Sequence, residues 1–228
     1  MVRGVLLIMV ILALLFGPQL WTHWIFAKYR RHREDYPGTG AEFARHLLDR
    51  FRLTHVKVDT TDLGDHYDPQ TRTVRLLPDH YHGKSLTAVV VAAHEVGHAI
   101  QDATGYAPLR ERTSLVRLAQ RAEKFGAFVM MGIPIMAGLT RSPAGGLLVF
   151  LAGLAIMSLS AFVHLITLPV EWDASFRRAL PVLEHGRYLS PRDHEAARRI
   201  LTAAALTYVS ASLASLLNIW RWLVLLRR

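Results

Sequence analysis

The sequence predicts a mainly α architecture: a multi-pass membrane protein with about four transmembrane helices and a small cytoplasmic α+β region that contains a β-hairpin. Three observations lead to it. Four stretches of the 228-residue chain hold no Asp, Glu, Lys or Arg: 24 residues after Arg3, 16 after Lys124, 29 after Arg141 and 21 after Arg199. A bilayer core asks for about 20 residues of helix, and the shortest stretch reaches that length if Glu123 and Lys124 snorkel to the interface. The 27 basic residues are unevenly spread, with 16 between positions 28 and 124, 6 between 171 and 199, and 5 elsewhere. Four spans place the two rich segments on one side, which the positive-inside rule makes the cytoplasm. Between the first two uncharged stretches the periodicity also switches from helical to alternating, as a mixed region requires.

Residues 4–27 are the expected transmembrane anchor. The apolar run is long, lacks the small-residue cleavage site of a signal peptide, and is followed by Lys28-Tyr29-Arg30-Arg31-His32-Arg33, which anionic headgroups would attract. Residues 28–124 are the expected cytoplasmic catalytic region. Within it, 41–52 reads as an amphipathic helix after the Pro37–Gly40 breaker, with Phe43, Leu47 and Leu48 on one face. Val56 and Val58 alternate with polar residues, 71–76 is rich in β-branched side chains, and the turn-forming 64–69 separates them, so a β-hairpin is expected. Ser85 to Ala103 reads as a helix capped by Ser85 or Thr87 and ended by Gly105. Residues 122–140 and 145–168 are expected to cross the membrane as a glycine-rich, closely packed pair, 169–199 to return as a cytoplasmic helix, and 200–220 to cross last.

Cysteine is absent, which excludes disulfides, thiol catalysis, thiolate zinc fingers and iron–sulfur clusters. Any metal must be held by His and carboxylate. The net charge of +9 invites a nucleic-acid reading, but the basic residues sit where membrane insertion wants them. No nucleic-acid partner is expected.

His94-Glu95-Val96-Gly97-His98 is an H-E-x-x-H motif. Helical residues four apart lie one above the other, so both imidazoles can reach one metal while Glu95 addresses the adjacent open position. Zinc held by His and carboxylate activates a water, with Glu95 as general base. Two imidazoles and a carboxylate on an otherwise apolar helix would be costly to bury without such a role. The metzincin continuation fails, because Gln101 and Thr104 stand where Gly and the third His belong. The third metal ligand is therefore sought on a later helix. Glu171, the first charge after the third uncharged stretch, leads; His164 is the competitor. Asp102, four residues beyond His98, is placed to orient a ligand imidazole or to stand solvated at the helix end. Asp173 either orients the site or pairs with Arg177. A di-iron bundle would need a second E-x-x-H, and there is none.

Together with Asp65-His66-Tyr67-Asp68-Pro69, residues 91–102, Gly105-Tyr106-Ala107-Pro108-Leu109, Leu168-Pro169-Val170-Glu171-Trp172-Asp173-Ala174-Ser175 and 203–209, this motif resembles the YugP-like membrane zinc metallopeptidases of bacteria. The resemblance spans nearly the whole chain and departs at Trp172, where Phe is expected. It implies a gluzincin-type, zincin-like metallopeptidase region with one Zn2+ per chain on His94, His98 and Glu171, and Glu95 catalytic. It implies a multi-pass protein of the bacterial cell (inner) membrane; with the charge distribution, the active site is expected to face the cytoplasm, and the lipid bilayer and membrane-associated proteins or peptides are the expected partners. In such peptidases a substrate adds as a strand to a sheet edge, here near Arg72, Thr73 and Val74. Tyr67, His66, Tyr106, Arg178 and Tyr208 are unranked candidates for an oxyanion donor. The expected function is a zinc-dependent membrane-anchored metalloendopeptidase; the alternative is a non-catalytic membrane metal-binding scaffold or regulator.

Overall fold

The computed structural model describes residues 2–119, 121, 163 and 166–206. Its centre is α4 (Leu86–Ala103), in which 15 of 18 residues are buried. An apolar run with no polar face can only be a helix covered on every side, and Val89, Val90, Val91, Ala92, Ala93 and Val96 make α4 such a run. The Ser85 hydroxyl accepts from Ala88 N at 3.2 Å and caps the helix start. Gly105, at φ +66°, takes the left-handed conformation that stops it.

Other elements cover α4 in turn. α1 (Val2–Tyr29) lays its C-terminal half against it, with Ile25 2% exposed. α2 (Gly40–Arg50) starts at a capping box, Thr39 and Glu42 each serving the other's backbone N–H, and buries Ala44, Leu47 and Leu48. Phe43, the third member of the expected face, packs edge-on against Tyr188 at 5.0 Å. A short α3 (Pro78–Tyr81) follows the sheet. Helical residues 107–119, 166–185 and 191–206 complete the cover, with Leu180, Leu183, Ile200 and Leu201 buried.

The sheet corrects the expected hairpin. Its strands are β1 (Lys57–Thr60), β2 (His66–Asp68) and β3 (Thr73–Leu76), in the order β1-β3-β2. β1 pairs with β3 in parallel, Val58 opposite Val74, so the two runs read as a hairpin are not one. The hairpin is β2–β3, with Tyr67 opposite Val74. The segment read as a polar turn contains a strand because Tyr67 is an apolar anchor, 9% exposed, between His66 and Asp68. Arg72, at φ +49°, makes the tight return into β3.

The multi-pass architecture is also corrected. Among the described residues, no helix is long and apolar enough to cross a membrane. The four-span reading and the inner-membrane placement derived from it are thereby overturned. The expected anchor at 4–27 falls on α1, whose C-terminal half carries Gln19, Thr22, His23 and Lys28 and buries Thr22 and Ile25 against the protein. Thr22 Oγ1 lies 2.8 Å from both Pro18 O and Ala203 O, and the Thr87 hydroxyl donates to Phe26 O at 3.1 Å. The basic run read as a headgroup anchor is partly neutralised inside the molecule. Arg30 pairs with Asp79 at 3.1 Å, and Arg33 pairs with Asp35 and with Asp193 at 2.7 Å. The expected spans 122–140, most of 145–168 and most of 200–220 lie outside the described residues.

The Arg33–Asp193 bridge ties the end of α1 to helix 191–206. Burial would raise the Asp193 carboxyl, but hydrogen bonds from Arg33 and from Ser190 (2.8 Å) outweigh it and hold the group below the usual carboxylate range. A depressed folded pKa stabilises the fold above the unfolded value of about 3.9 and loses that contribution as pH falls through the folded one. Asp193→Asn is therefore expected to cost about 1.5–3 kcal/mol at pH 6. Denaturant titrations should show that gap closing below about pH 4; a gap independent of pH would remove the bridge from the account.

Candidate metal centre

His94 and His98 leave α4 on one face, and Glu171 meets them from the helical run 166–185. Glu171 Oε2 lies 3.1 Å from His94 Nε2 and 3.2 Å from His98 Nε2, and the three donor atoms lie within 4.8 Å of one another. All are buried: His94 is 8% exposed, His98 5% and Glu171 1%. Burial opposes ionisation of Glu171, yet the charge of His98 and the hydrogen bonds of both imidazoles outweigh it and hold the carboxyl well below its ordinary range.

The outer nitrogens of the two rings decide what this cluster holds. The Gln101 amide donates through Nε2 to Val170 O and to Asp173 Oδ2, both at 2.9 Å. That fixes the amide orientation, so Oε1, the acceptor, faces His98 Nδ1 at 2.9 Å. His98 then carries a proton on Nδ1, and Nε2 is the nitrogen turned to Glu171. A metal ion bound between them would take the place of a proton at Nε2 and meet the carboxylate with positive charge. Ser175 Oγ, 3.1 Å from His94 Nδ1, gives the other ring the same kind of outer partner. Two imidazoles and one carboxylate are a zinc donor set of the open, three-ligand kind.

Glu95 is 5% exposed, and its Oε2 is buried with no hydrogen-bond partner. Burial pushes its carboxyl up to about 8; positive charge on His94 opposes this, while Glu171 and Asp65 add to it. Arg112, from helix 107–119, brings its guanidinium to 3.5 Å from Glu171 Oε1.

Packing explains why the segments meet here. Residues Asp173–Ala179 are π-wound, with Leu180 N bonded to Ser175 O five residues back. In an α-helix, residues five apart point about 140° away from each other; the wider turn lets Arg178 Nε reach Asp173 Oδ2 at 2.7 Å. Gly97 makes the approach possible, since a Cβ there would stand 2.8 Å from Ala174 O.

The structure thus brings together His94, Glu95, His98 and Glu171. Asp173 joins them through Gln101 and pairs with Arg178 rather than Arg177. Asp102 does not orient a ligand; it accepts from the Tyr67 hydroxyl at 2.8 Å. Gln101, one position earlier, takes that role, because it is the Gln101 side chain that turns toward Val170 and the buried His98 nitrogen. His164 and Tyr208 lie outside the described residues. Arg72, Thr73 and Val74 provide no free edge, since β3 is the central strand with a partner on each side. Of the oxyanion candidates, Tyr67 is committed to Asp102, and Arg178 to Asp173 and Thr104. Gln101, Ser175 and Arg112 were missed. For Gln101 and Ser175 the signal available was helical spacing, three residues past His98 and four past Glu171.

Comparison with known proteins agrees with this chemistry. A family model described as "Putative neutral zinc metallopeptidase" matches residues 4–227. The chain is 35% identical over 216 residues to the "Putative membrane protease YugP" of Bacillus subtilis, covering 94% of this chain and 92% of that protein. No solved structure gives a significant match.

Two substitutions test the geometry. Gln101→Ala removes the proton acceptor that sets the His98 tautomer, and zinc affinity measured by chelator competition should fall about 10- to 100-fold; unchanged affinity would leave Gln101 a packing residue. Gly97→Ala forces the 173–179 segment away from α4, which should cost about 1–3 kcal/mol of stability as overpacking does and weaken zinc binding at the same time. Normal zinc affinity in that variant would mean that Glu171 is not held by this contact.

Proposed function

The chain belongs to this zinc metallopeptidase family, and from that premise we propose that it is a metalloendopeptidase, cutting internal peptide bonds of protein or peptide substrates with Glu95 as the general base. One observation carries the reading. A buried carboxylate without a hydrogen-bond partner stands beside a three-ligand metal cluster and is not one of its ligands. Leaving a buried polar group unsatisfied costs about 1–3 kcal/mol. A site that only anchors structure has no use for that cost, and structural zinc sites close with four protein ligands.

Zinc bound by His94, His98 and Glu171 would supply Lewis acidity, polarising a carbonyl and acidifying a water. The remaining work falls to side chains. Glu95 Oε2 takes the proton of the attacking water and later delivers it to the departing amine. Gln101 and Ser175 hold the ligand rings in register, so the carboxylate and the metal act on the same point. The buried setting strengthens each charge interaction by excluding bulk water.

Glu95→Gln keeps the shape of the side chain and removes its basicity. Cleavage of an unfolded protein substrate should fall by at least about 100-fold, with zinc content unchanged at one per chain. Full activity in that variant would sink the mechanism, and activity insensitive to chelators would sink the metal's part in it.

A further inference from the structure

A cavity of about 160 Å3 opens beside the metal cluster, bordered by His94 and Glu95. Its apolar walls come from α4 itself (Val90, Val91) and from two elements that the metal site does not use: Phe26 of α1, and Ile200, Leu201 and Ala204 of helix 191–206. Thr22, also on its wall, shares its hydroxyl with Ala203 O at 2.8 Å and so joins α1 to helix 191–206 at the cavity. Glu95, which carries the proton, and a mostly apolar recess thus share one cavity.

We propose that this cavity receives the substrate side chain flanking the scissile bond and selects Leu, Ile or Phe there. The inference rests on the peptidase reading and adds its substrate preference. A dry cavity of about 150 Å3 lined by Leu, Ile and Phe accommodates benzene, so the volume here suits a branched aliphatic chain or a phenyl ring and is too small for an indole. Charged side chains would lose their hydration without a partner. The single carboxylate on the wall besides Glu95, Asp65, is already engaged: Oδ1 accepts from Leu77 N and Oδ2 lies on His80 Nδ1, both at 2.8 Å. Both of its oxygens are therefore occupied within the protein, and neither is free to accept from a substrate side chain.

Two measurements test the pocket separately from catalysis. In the first, an unfolded protein is digested and the cut positions are read by mass spectrometry. Wild type should cut next to Leu, Ile or Phe. Ala204→Leu, which grows into the cavity, should lower kcat/KM on a Leu-containing peptide about 10- to 200-fold relative to an Ala-containing one, and Val91→Ala, which widens it, should extend acceptance to Trp. Identical cleavage profiles in all three proteins would overturn the pocket. In the second, zinc-loaded wild type is titrated with leucine hydroxamate and aspartate hydroxamate by calorimetry. Preference of about 10-fold or more for the leucine compound supports the pocket, and equal affinities overturn it. If wild type shows no chelator-sensitive cleavage, the peptidase reading fails, and the hydroxamate comparison still decides the cavity.

Discussion

The arrangement depends on the burial of nearly all of α4. A helix covered on every side can keep polar side chains only if each finds a partner within the protein, and α4 carries four in sequence along its functional face: His94, Glu95, His98 and Gln101. Three are answered by one short segment. Glu171 meets both imidazoles, Val170 O and Asp173 take the Gln101 amide, and Ser175 closes the outer nitrogen of His94. Remove segment 170–178 and the core helix is left with uncompensated polar groups. The same docking that satisfies the core therefore builds the metal cluster, so folding and metal binding are coupled.

The π-wound stretch carries much of that coupling. π segments within helices are uncommon and often sit at functional sites. Here the widened turn sets Asp173, Ser175 and Arg178 on three different partners, and Ala174 faces Gly97 where no side chain fits between the backbones. Asp173 also accepts from Gln101, so the charge of Arg178 is transmitted through Asp173 to the amide that orients His98. Such a chain of charge-assisted hydrogen bonds fixes ring orientation more firmly than a lone amide would.

Much of the site was legible in the sequence because its signals are local or chemically exclusive. The H-E-x-x-H spacing is a property of one helix, and the absence of cysteine left only carboxylates or imidazoles for the third ligand, which pointed to Glu171. The caps at Ser85 and Thr39 are local too. What failed was non-local. Parallel pairing of β1 with β3 depends on which strand lies between the others, and the alternation of Val56 and Val58 is the same in either orientation. Asp102 was one candidate to orient a ligand imidazole, by α-helical spacing and the preference for a carboxylate; Gln101 holds His98 instead, because a buried Gln can donate to two acceptors of the opposite segment while accepting from the ring, which a carboxylate cannot do. Uncharged length was read as membrane-crossing length, but the absence of charge does not say what covers a helix: α1 turns Ile25 and the Thr22 hydroxyl to the protein and leaves Phe16, Leu20 and Trp24 exposed.

Glu95 is the exception to the rule that burial imposes on α4, and the proposed chemistry rests on that exception. Every other polar group on the functional face is tied to segment 170–178, while Glu95, a residue of the cavity wall, leaves its buried Oε2 without a hydrogen bond. Structural selection alone would remove such a group or give it a donor, since an apolar residue of similar size would pack there at no desolvation cost. Its retention beside three convergent ligands is what a proton carrier requires: a basic oxygen with no competing donor, in a space that a substrate rather than water fills. The apolar walls serve both ends, because the surface that withholds hydrogen bonds from Glu95 is the surface that would hold an aliphatic side chain.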